Sequence, residues 1–179
     1  MKPFSDNIIF LDTEFSSFNT KSGELLSIGM VKVNGEELYL ELESSAEPID
    51  WVKENVIPKL TGEKISLTDA LEKIKIFVGD TTPFLVAYID NYDAVYLKNI
   101  IGYEKNHIFH WITIDIASMF FGLGLNPQTF GNADNDGTFD KLGIDWHKYR
   151  EHHALDDAKL LREFYLKYFS TNATNEASK

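Results

Sequence analysis

Short apolar runs of strand length come first along the chain, and helical periodicities follow them. Ile8–Phe15 has the pattern of a strand, and the segments Leu25–Val33 and Glu36–Glu43 flank the pair Asn34-Gly35. Asn-Gly between two strand-like segments is the strongest short-range signal for a hairpin. We therefore predict three strands at the start of the chain, the second and third of them antiparallel.

The rest of the chain alternates strands with helices. The predicted strands are Pro83–Tyr88 and Phe109–Ile114. Two helices are predicted before the first of them: Trp51–Leu60, which is interrupted at Pro58, and a helix that starts at Ser66 with Asp69 in a capping box. The other predicted helices are Asn91–Ile101, Ile116–Gly124 and Ala154–Phe169. A meander followed by strand-helix units is typical of a mixed sheet with helices packed on it. The prediction is an α/β fold with five strands, in which the last two are parallel.

Domain organisation follows from the same pattern. Residues 1–169 form a single domain, and we expect the polar tail, residues 170–179, to be disordered. Residues 124–146 are a Gly-, Asn- and Asp-rich loop. The segment Asn132–Gly137 within it has the spacing of a calcium loop, but Gly143 stands where a bidentate glutamate is required, which favours a polar turn.

Composition and charge narrow the function classes. With 179 residues, 44% hydrophobic residues and no cysteine, the chain can bury a sizeable core and has no thiolate metal site or disulfide. No apolar run approaches the ~20 residues of a membrane span, and the N-terminus lacks an apolar signal segment, so we expect a cytoplasmic protein. The net charge of −11 argues against a broad basic surface for duplex DNA. A nucleic acid would have to bind locally or with the help of metal ions.

Two carboxylates lie close together at the end of the first strand. Side chains alternate across a strand, so Asp12 and Glu14 share a face with Ile8 and Phe10 and lie about 7 Å apart. Like charges at that distance repel unless a cation such as Mg²⁺ or Mn²⁺ lies between them. A solvated strand end is the alternative interpretation, and the other acids in the chain must decide between the two.

A second acidic cluster begins the helix after the fourth predicted strand. Asp90 or Asn91 can cap this helix, and Asp93 then falls in its first turn, where the helix dipole favours an anion. Capping accounts for one of the two aspartates only. The other is available as a ligand.

A third cluster opens the last helix. Asp156 and Asp157 fall in its first turn and follow the adjacent pair His152-His153. Histidine can accept a proton near neutral pH, as hydrolysis by an activated water requires. On a continuous helix His153 and Asp157 share a face, whereas a helix that starts at Ala154 leaves both histidines on the preceding loop. Periodicity alone therefore favours His153, but a helix that starts at Ala154 would leave the choice between the two histidines open.

The three clusters together resemble the DEDD superfamily of 3'-5' exonucleases, in the branch with a histidine general base. The matching motifs are Asp12-Thr13-Glu14 on the first strand, Asp93 before the apolar residues Ala94–Leu97, and the late pattern His152-x-Ala154-x-x-Asp157. The resemblance implies metal binding by Asp12, Glu14, Asp93 and Asp157, with His152 as the general base. It also implies two bound Mg²⁺ or Mn²⁺ ions.

A closer resemblance is to small bacterial exoribonucleases of the RNase AS type, which prefer polyadenylate. It is carried by the stretches "DTEF", "LLSIGMVKVNGEELY", "WVKENVIPKL" and "AYIDNYDAVYL", and the loop from Gly124 to Trp146 departs from it. This similarity implies a ribonuclease H-like fold, single-stranded RNA as substrate and a homodimer. Preference for adenine is not implied, because the adenine-contacting residues cannot be matched.

These observations give one main hypothesis and two alternatives. The main hypothesis is a 3'-5' exoribonuclease that uses two metal ions and has His152 as its general base. Phe15 and Phe18 are the candidates for stacking on the terminal nucleobase. Phe15 is the poorer candidate, because it lies on the opposite strand face from Glu14. The first alternative is the same chemistry on single-stranded DNA. The second is a non-catalytic nucleic-acid or protein adaptor with this fold.

Overall fold

A computed structural model describes residues 3–102, 108–128 and 137–176, with side chains up to residue 169. The strands are β1 (Ile8–Phe15), β2 (Leu25–Lys32), β3 (Glu37–Leu42), β4 (Lys64–Ile65), β5 (Phe84–Ala87) and β6 (Thr113–Asp115). The helices are α1 (Asp50–Asn55), α2 (Leu67–Val78), α3 (Asn91–Ile101), α4 (Ile116–Gly122), α5 (Thr138–Lys141) and α6 (Ala154–Glu176). None of the helices in these ranges is both long and apolar enough to cross a membrane.

In the described part of the chain, six strands form one mixed sheet in the order β4-β3-β2-β1-β5-β6. The first three strands are an antiparallel meander, while β5 is parallel to β1 and β6 is parallel to β5. This confirms the predicted α/β class and the meander followed by two parallel strands. The prediction of five strands was wrong by one, because the two-residue strand β4, which pairs with β3, is too short to leave a pattern in the sequence.

Each face of the sheet buries its own apolar core. On β1, Ile9 and Leu11 face the core under α2 and α3, whereas Ile8 and Phe10 face the core under α4, α5 and α6. Helix α6 packs directly on β1 and β2. The alternation of β1 therefore places the side chains of Asp12 and Glu14 on the face that α6 covers.

Several element boundaries differ from the predictions. The helix predicted over Trp51–Leu60 ends at Asn55, and a separate 3-10 turn holds Ile57–Lys59, because Pro58 has no N–H to continue the helical ladder. Strand β6 is shorter than the predicted Phe109–Ile114 and lies later in the chain. In the 124–146 loop, the described part contains helix α5, and the polar turn predicted at Asn132–Gly137 lies almost wholly outside the described residues.

The predicted starts of α2, α3 and α6 and the predicted end of α6 can also be compared with the structure. Ser66 caps α2 as predicted: its Oγ accepts the Asp69 N–H at 3.1 Å and donates to the Asp69 carboxylate at 2.7 Å. Asp90 occupies the cap position of α3, but neither it nor another side chain makes a capping hydrogen bond there. Helix α6 begins at Ala154 as predicted and continues past Phe169 to Glu176, into the segment for which we expected disorder.

Candidate active site

A glycine on β2 sets the position of the last helix. Gly29 is the cross-strand partner of Asp12, and a Cβ at Gly29 would overlap the backbone carbonyl of Ala154 and the amide nitrogen of Leu155. Only glycine lets the first turn of α6 lie this close to the sheet. This contact brings Asp157, one turn further along α6, to the acids of β1.

Among the described residues, three side chains from two distant parts of the chain form a group of possible metal ligands. Glu14, His152 and Asp157 each offer one ligand atom, and these atoms all lie within 4.8 Å of one another. Glu14 is buried, and the other two side chains are partly buried. Carboxylate oxygens in a confined space are the ligands that Mg²⁺ and Mn²⁺ prefer, so the donor set fits a divalent cation.

Asp93 is tethered to the strand that carries the other acids. Its Oδ1 accepts the backbone N–H of Thr13 at 2.8 Å and the Thr13 hydroxyl at 2.7 Å, and its side chain is 6% exposed. Burial raises the pKa of Asp93 to about 7, although the two bonds from Thr13 lower it. The sequence analysis missed this role of Thr13, for which the only signal was its position between Asp12 and Glu14.

Burial raises the pKa of all four acids, and repulsion from other acids of the set raises those of Asp12 and Glu14 further. Burial, followed by repulsion from Asp157, Asp93 and Glu14, raises the pKa of Asp12 well above its usual value. Burial together with Asp157 and Asp93 raises the pKa of Glu14 to about 8, and Lys59 partly offsets this. Burial also raises the pKa of Asp157 to about 7. Because burial and repulsion disfavour the ionised form of these carboxylates, a cation bound between them would stabilise that form strongly.

His152 and His153 have different surroundings in the structure. His152 has a left-handed backbone conformation, with φ of 56°, and its imidazole lies with Glu14 and Asp157. His153 is 4% exposed and stacks on the ring of Tyr39, with ring centroids 4.5 Å apart. Because α6 starts at Ala154, both histidines precede the helix, and it is His152 whose ring joins Glu14 and Asp157. The structure thus places the histidine that the motif indicates beside the acids.

The environment of His152 suits a proton acceptor. Burial lowers the pKa of its imidazole; Glu151, whose carboxylate lies 3.6 Å from Nε2, raises it, and Lys59 lowers it. The net direction of the pKa is downward, which favours the neutral imidazole, the form that can accept a proton. The roles of His152 and of the four acids in catalysis stay predictions.

The two phenylalanines proposed to stack a base differ in exposure. Phe15 packs against the core and stacks on Tyr96 with ring centroids 4.7 Å apart, as its place on the opposite strand face suggested. Phe18 is 54% exposed and makes edge contacts with Phe15 and with Tyr92, the residue before Asp93. Sequence reasoning missed Tyr92, although its position next to Asp93 was a signal.

Two further residues beside the site were also missed. The ring edge of Trp51, which is 45% exposed, contacts the His152 imidazole at a centroid distance of 4.8 Å and an interplanar angle of 81°. Lys59 donates a hydrogen bond from Nζ to the backbone carbonyl of Glu151. Both belong to the segment around α1, whose sequence showed only a broken helix.

Known structures show which proteins share this architecture. The nuclease domain of 3'hExo, a DEDDh family member whose structure contains rAMP, matches with a TM-score of 0.63 and 12% sequence identity, over 96% of this chain and 95% of that chain. This chain therefore shares the fold of that nuclease domain. A chain from the complex of the yeast NOT1 MIF4G domain with CAF1 matches the same fold with a TM-score of 0.54 and 16% identity, over 93% of this chain and 81% of that one. These matches confirm the predicted ribonuclease H-like α/β fold.

One curated protein gives a match at the level of sequence. The DNA polymerase III PolC-type of Thermotoga maritima is 25% identical over 170 residues, which cover 89% of this chain. The same match covers 12% of the polymerase, so this chain corresponds to one small part of that protein. No family model matches the chain. The finer resemblance to the RNase AS type stays a prediction.

Proposed function

We propose that this protein is a metal-dependent 3'-5' exonuclease that hydrolyses single-stranded RNA from its 3' end to nucleoside 5'-monophosphates. The observation that carries the proposal is the meeting of Glu14, His152 and Asp157, with ligand atoms within 4.8 Å of one another, in the fold of a DEDDh nuclease domain. Asp12 and Asp93 complete the acidic set. Their mutual repulsion supports a site built for cations.

Asp12, Glu14, Asp93 and Asp157 would hold two Mg²⁺ or Mn²⁺ ions. When bound, such ions supply positive charge that stabilises the phosphate and the leaving oxygen. Four carboxylates against two divalent cations leave the site nearly neutral. This local neutrality allows a protein of net charge −11 to accept a polyanion.

His152 would accept the proton of the attacking water through a ring nitrogen. The water oxygen then bonds to the terminal phosphorus, the bond from phosphorus to the 3' oxygen breaks, and that oxygen takes a proton from solvent. Glu151, with Oε1 3.6 Å from His152 Nε2, stabilises the imidazolium that forms. A neutral imidazole before the reaction, as the lowered pKa indicates, suits this role.

The terminal base would stack on the aromatic side chains next to Asp93. Phe18 is the exposed member of that group and the stronger candidate, while Phe15 supports it from the core. Each stacked base contributes about 1 to 3 kcal/mol in single-strand binding. We expect Phe18→Ala to raise KM more than it lowers kcat.

Single-stranded DNA is the second candidate substrate. The observation that supports DNA is the sequence match to a protein named as a DNA polymerase. Nothing in the acidic charge separates RNA from DNA, because the distinction depends on contacts to the 2'-hydroxyl. The adaptor alternative has less support, since the histidine and the acids lie together.

A substrate panel tests these alternatives. Matched 5'-labelled RNA and DNA oligomers are incubated with Mg²⁺, Mn²⁺ or EDTA, and the products are resolved by length and by end group. We expect shortening from the 3' end that requires the metal, loss of turnover in Asp12→Ala, and normal turnover in the control Asp80→Asn, which changes an exposed acid. Undiminished cleavage by Asp12→Ala would overturn the assignment of this site.

A homodimer is the last part of the proposal. Trp111 is 70% exposed and Phe121 is 78% exposed, and they lie on either side of the edge strand β6. Large apolar side chains exposed near the edge of a sheet are candidates for a protein contact surface. Sedimentation of the wild type and of Trp111→Ser with Phe121→Ser tests it: the wild type should have twice the monomer mass, and the double variant the monomer mass.

A further inference from the structure

The row of residues that contains Asp12 continues across the sheet to an aromatic side chain. Gly29 pairs with Asp12 on one side and with Tyr39 on the other, so Tyr39 lies on the same sheet face as the acid. The ring of Tyr39 stacks on His153 at 4.5 Å with an interplanar angle of 26°. Strand β3 thus contacts the residue that follows His152.

Tyr39 is itself anchored. Its hydroxyl donates to Glu41 Oε1 at 3.0 Å, and the same oxygen accepts the backbone N–H of Thr61 at 3.0 Å. Glu41 is 3% exposed. A buried carboxylate with two donors holds the phenol ring in one orientation.

His153 is fixed from the other side as well. Its Nδ1 accepts the Asp156 N–H at 3.4 Å and lies 3.3 Å from Arg150 Nη2, and Arg150 Nε pairs with the Asp156 carboxylate at 2.6 Å. Its carbonyl oxygen accepts the N–H groups of Asp156 at 2.8 Å and Asp157 at 3.0 Å. His153 therefore ties the loop to the first turn of α6.

His152 has a conformation that needs such support. Left-handed φ values are uncommon for residues with a Cβ and persist where the surrounding structure over-determines them. On one side of His152, the carbonyl of Glu151 accepts a hydrogen bond from Lys59. On the other side stands His153, held between Tyr39 and Arg150. The backbone of His152 is thus fixed at both ends.

We propose that Tyr39 and His153 are positioning residues that lock His152 in its left-handed conformation beside Glu14 and Asp157. The catalytic consequence rests on the proposed function, whereas the conformational consequence does not. Tyr39 acts through the stacked ring, and Glu41 orients that ring. These contacts connect the loop before β4, through strand β3, to the residue that precedes α6.

Kinetics of two Tyr39 variants test the catalytic consequence. Tyr39→Leu removes the ring, and kcat should fall about tenfold or more with KM unchanged within about twofold, because small misplacements of a catalytic group are costly. Tyr39→Phe keeps the ring and should restore most of kcat. The matched control is Phe84→Leu, which removes the ring that stacks on His110 at 4.0 Å, and its kcat should equal that of the wild type.

A spectroscopic measurement tests the conformational consequence without any enzyme activity. In protein labelled with ¹³C and ¹⁵N histidine, the Cα and Cβ shifts of His152 report its backbone conformation. In Tyr39→Leu these shifts should move away from the left-handed values, while those of His110 stay in place. In Phe84→Leu the pattern should be reversed.

The outcomes separate this inference from the proposed function. A wild type without exonuclease activity would overturn the proposed function, and the His152 shifts would still decide the inference. Unchanged His152 shifts in a folded Tyr39→Leu variant would overturn the inference, whatever the activity. If Tyr39→Leu does not fold, Arg150→Gln replaces it, since that side chain is 59% exposed and its loss removes the contacts to His153 and Asp156. Unchanged His152 shifts in that variant would overturn the inference in the same way.

Discussion

Thr13 donates two hydrogen bonds to one oxygen of Asp93, from its backbone N–H at 2.8 Å and from its hydroxyl at 2.7 Å. The bonds join the middle of the Asp-Thr-Glu segment of β1 to the first turn of α3. The strand that carries two of the acids therefore also orients a third. The hydroxyl of Thr13 faces away from its neighbours Asp12 and Glu14, as alternation along a strand requires.

The first prediction concerns this tether. Thr13→Val keeps the shape of the side chain and the backbone bond but removes the hydroxyl, so Asp93 loses one of the two hydrogen bonds that Thr13 donates. Hydrogen bonds to charged groups contribute about 1.5 to 3 kcal/mol, and we expect a loss of stability at the lower end of that range together with a severalfold fall in kcat. Chemical denaturation and steady-state kinetics measure the two effects. Thr68→Val, at an exposed position of α2, is the control and should change neither.

The second prediction concerns the approach of α6 to the sheet. Gly29→Ala places a methyl group against the backbone of Ala154, where no flexible side chain can yield. Overpacking of this kind costs about 1 to 3 kcal/mol, and the shift of α6 moves Asp157 away from Glu14. Stability and metal-dependent turnover should both fall. A Cβ at Gly122 would meet no atom of the described residues within 4 Å, so Gly122→Ala should leave turnover unchanged; equal activity of the two variants would contradict the role of Gly29.

The third prediction concerns pH and metal ions. The pKa of Glu14 is raised to about 8, and those of Asp93 and Asp157 to about 7, so between about pH 4.5 and 8 the metal-free folded state binds more protons than the unfolded state. Stability in EDTA should therefore fall as pH rises through this window. Bound Mn²⁺ should remove this loss of stability, because it stabilises the ionised carboxylates.

Thermal melts at pH 5.5 and pH 8, with EDTA or with MnCl₂, measure this effect. The rise in Tm caused by Mn²⁺ should be larger at pH 8, where more of the carboxylates in the metal-free site are ionised and repel one another. A concentration of 100 times Kd corresponds to about 2.7 kcal/mol of stabilisation. The rise should disappear in the double variant Asp12→Asn with Asp157→Asn. An equal rise at both pH values would argue against a cation at these four acids.

The fourth prediction separates the two histidines. His152→Ala should lower kcat by about 10² to 10⁴-fold, the usual contribution of a general base, and flatten the acidic limb of the pH–rate profile. His153→Phe keeps a ring against Tyr39 and should lower kcat much less. Single-turnover rates over a range of pH distinguish the two. A larger loss in His153→Phe than in His152→Ala would reverse the assignment of the base.

The sequence by itself determined the features that depend on neighbouring residues. The turn at Asn34-Gly35 forms between β2 and β3, with Gly35 at φ of 93°, because few residues adopt that conformation as easily as glycine. Asp12 and Glu14 share a face because alternation is a property of the strand alone. Ser66 caps α2, and Asp93 falls in the first turn of α3, for equally local reasons.

Tertiary structure decided which histidine meets the acids. The choice depends on where α6 begins and on the left-handed backbone of His152, and these depend on Gly29 and Tyr39, which lie more than a hundred residues earlier in the chain. Such contacts leave no periodic trace, because they form only when β2 and β3 pack against the last helix. Local pattern fixed the acids on their own elements, and only packing across the sheet brought them together with one histidine.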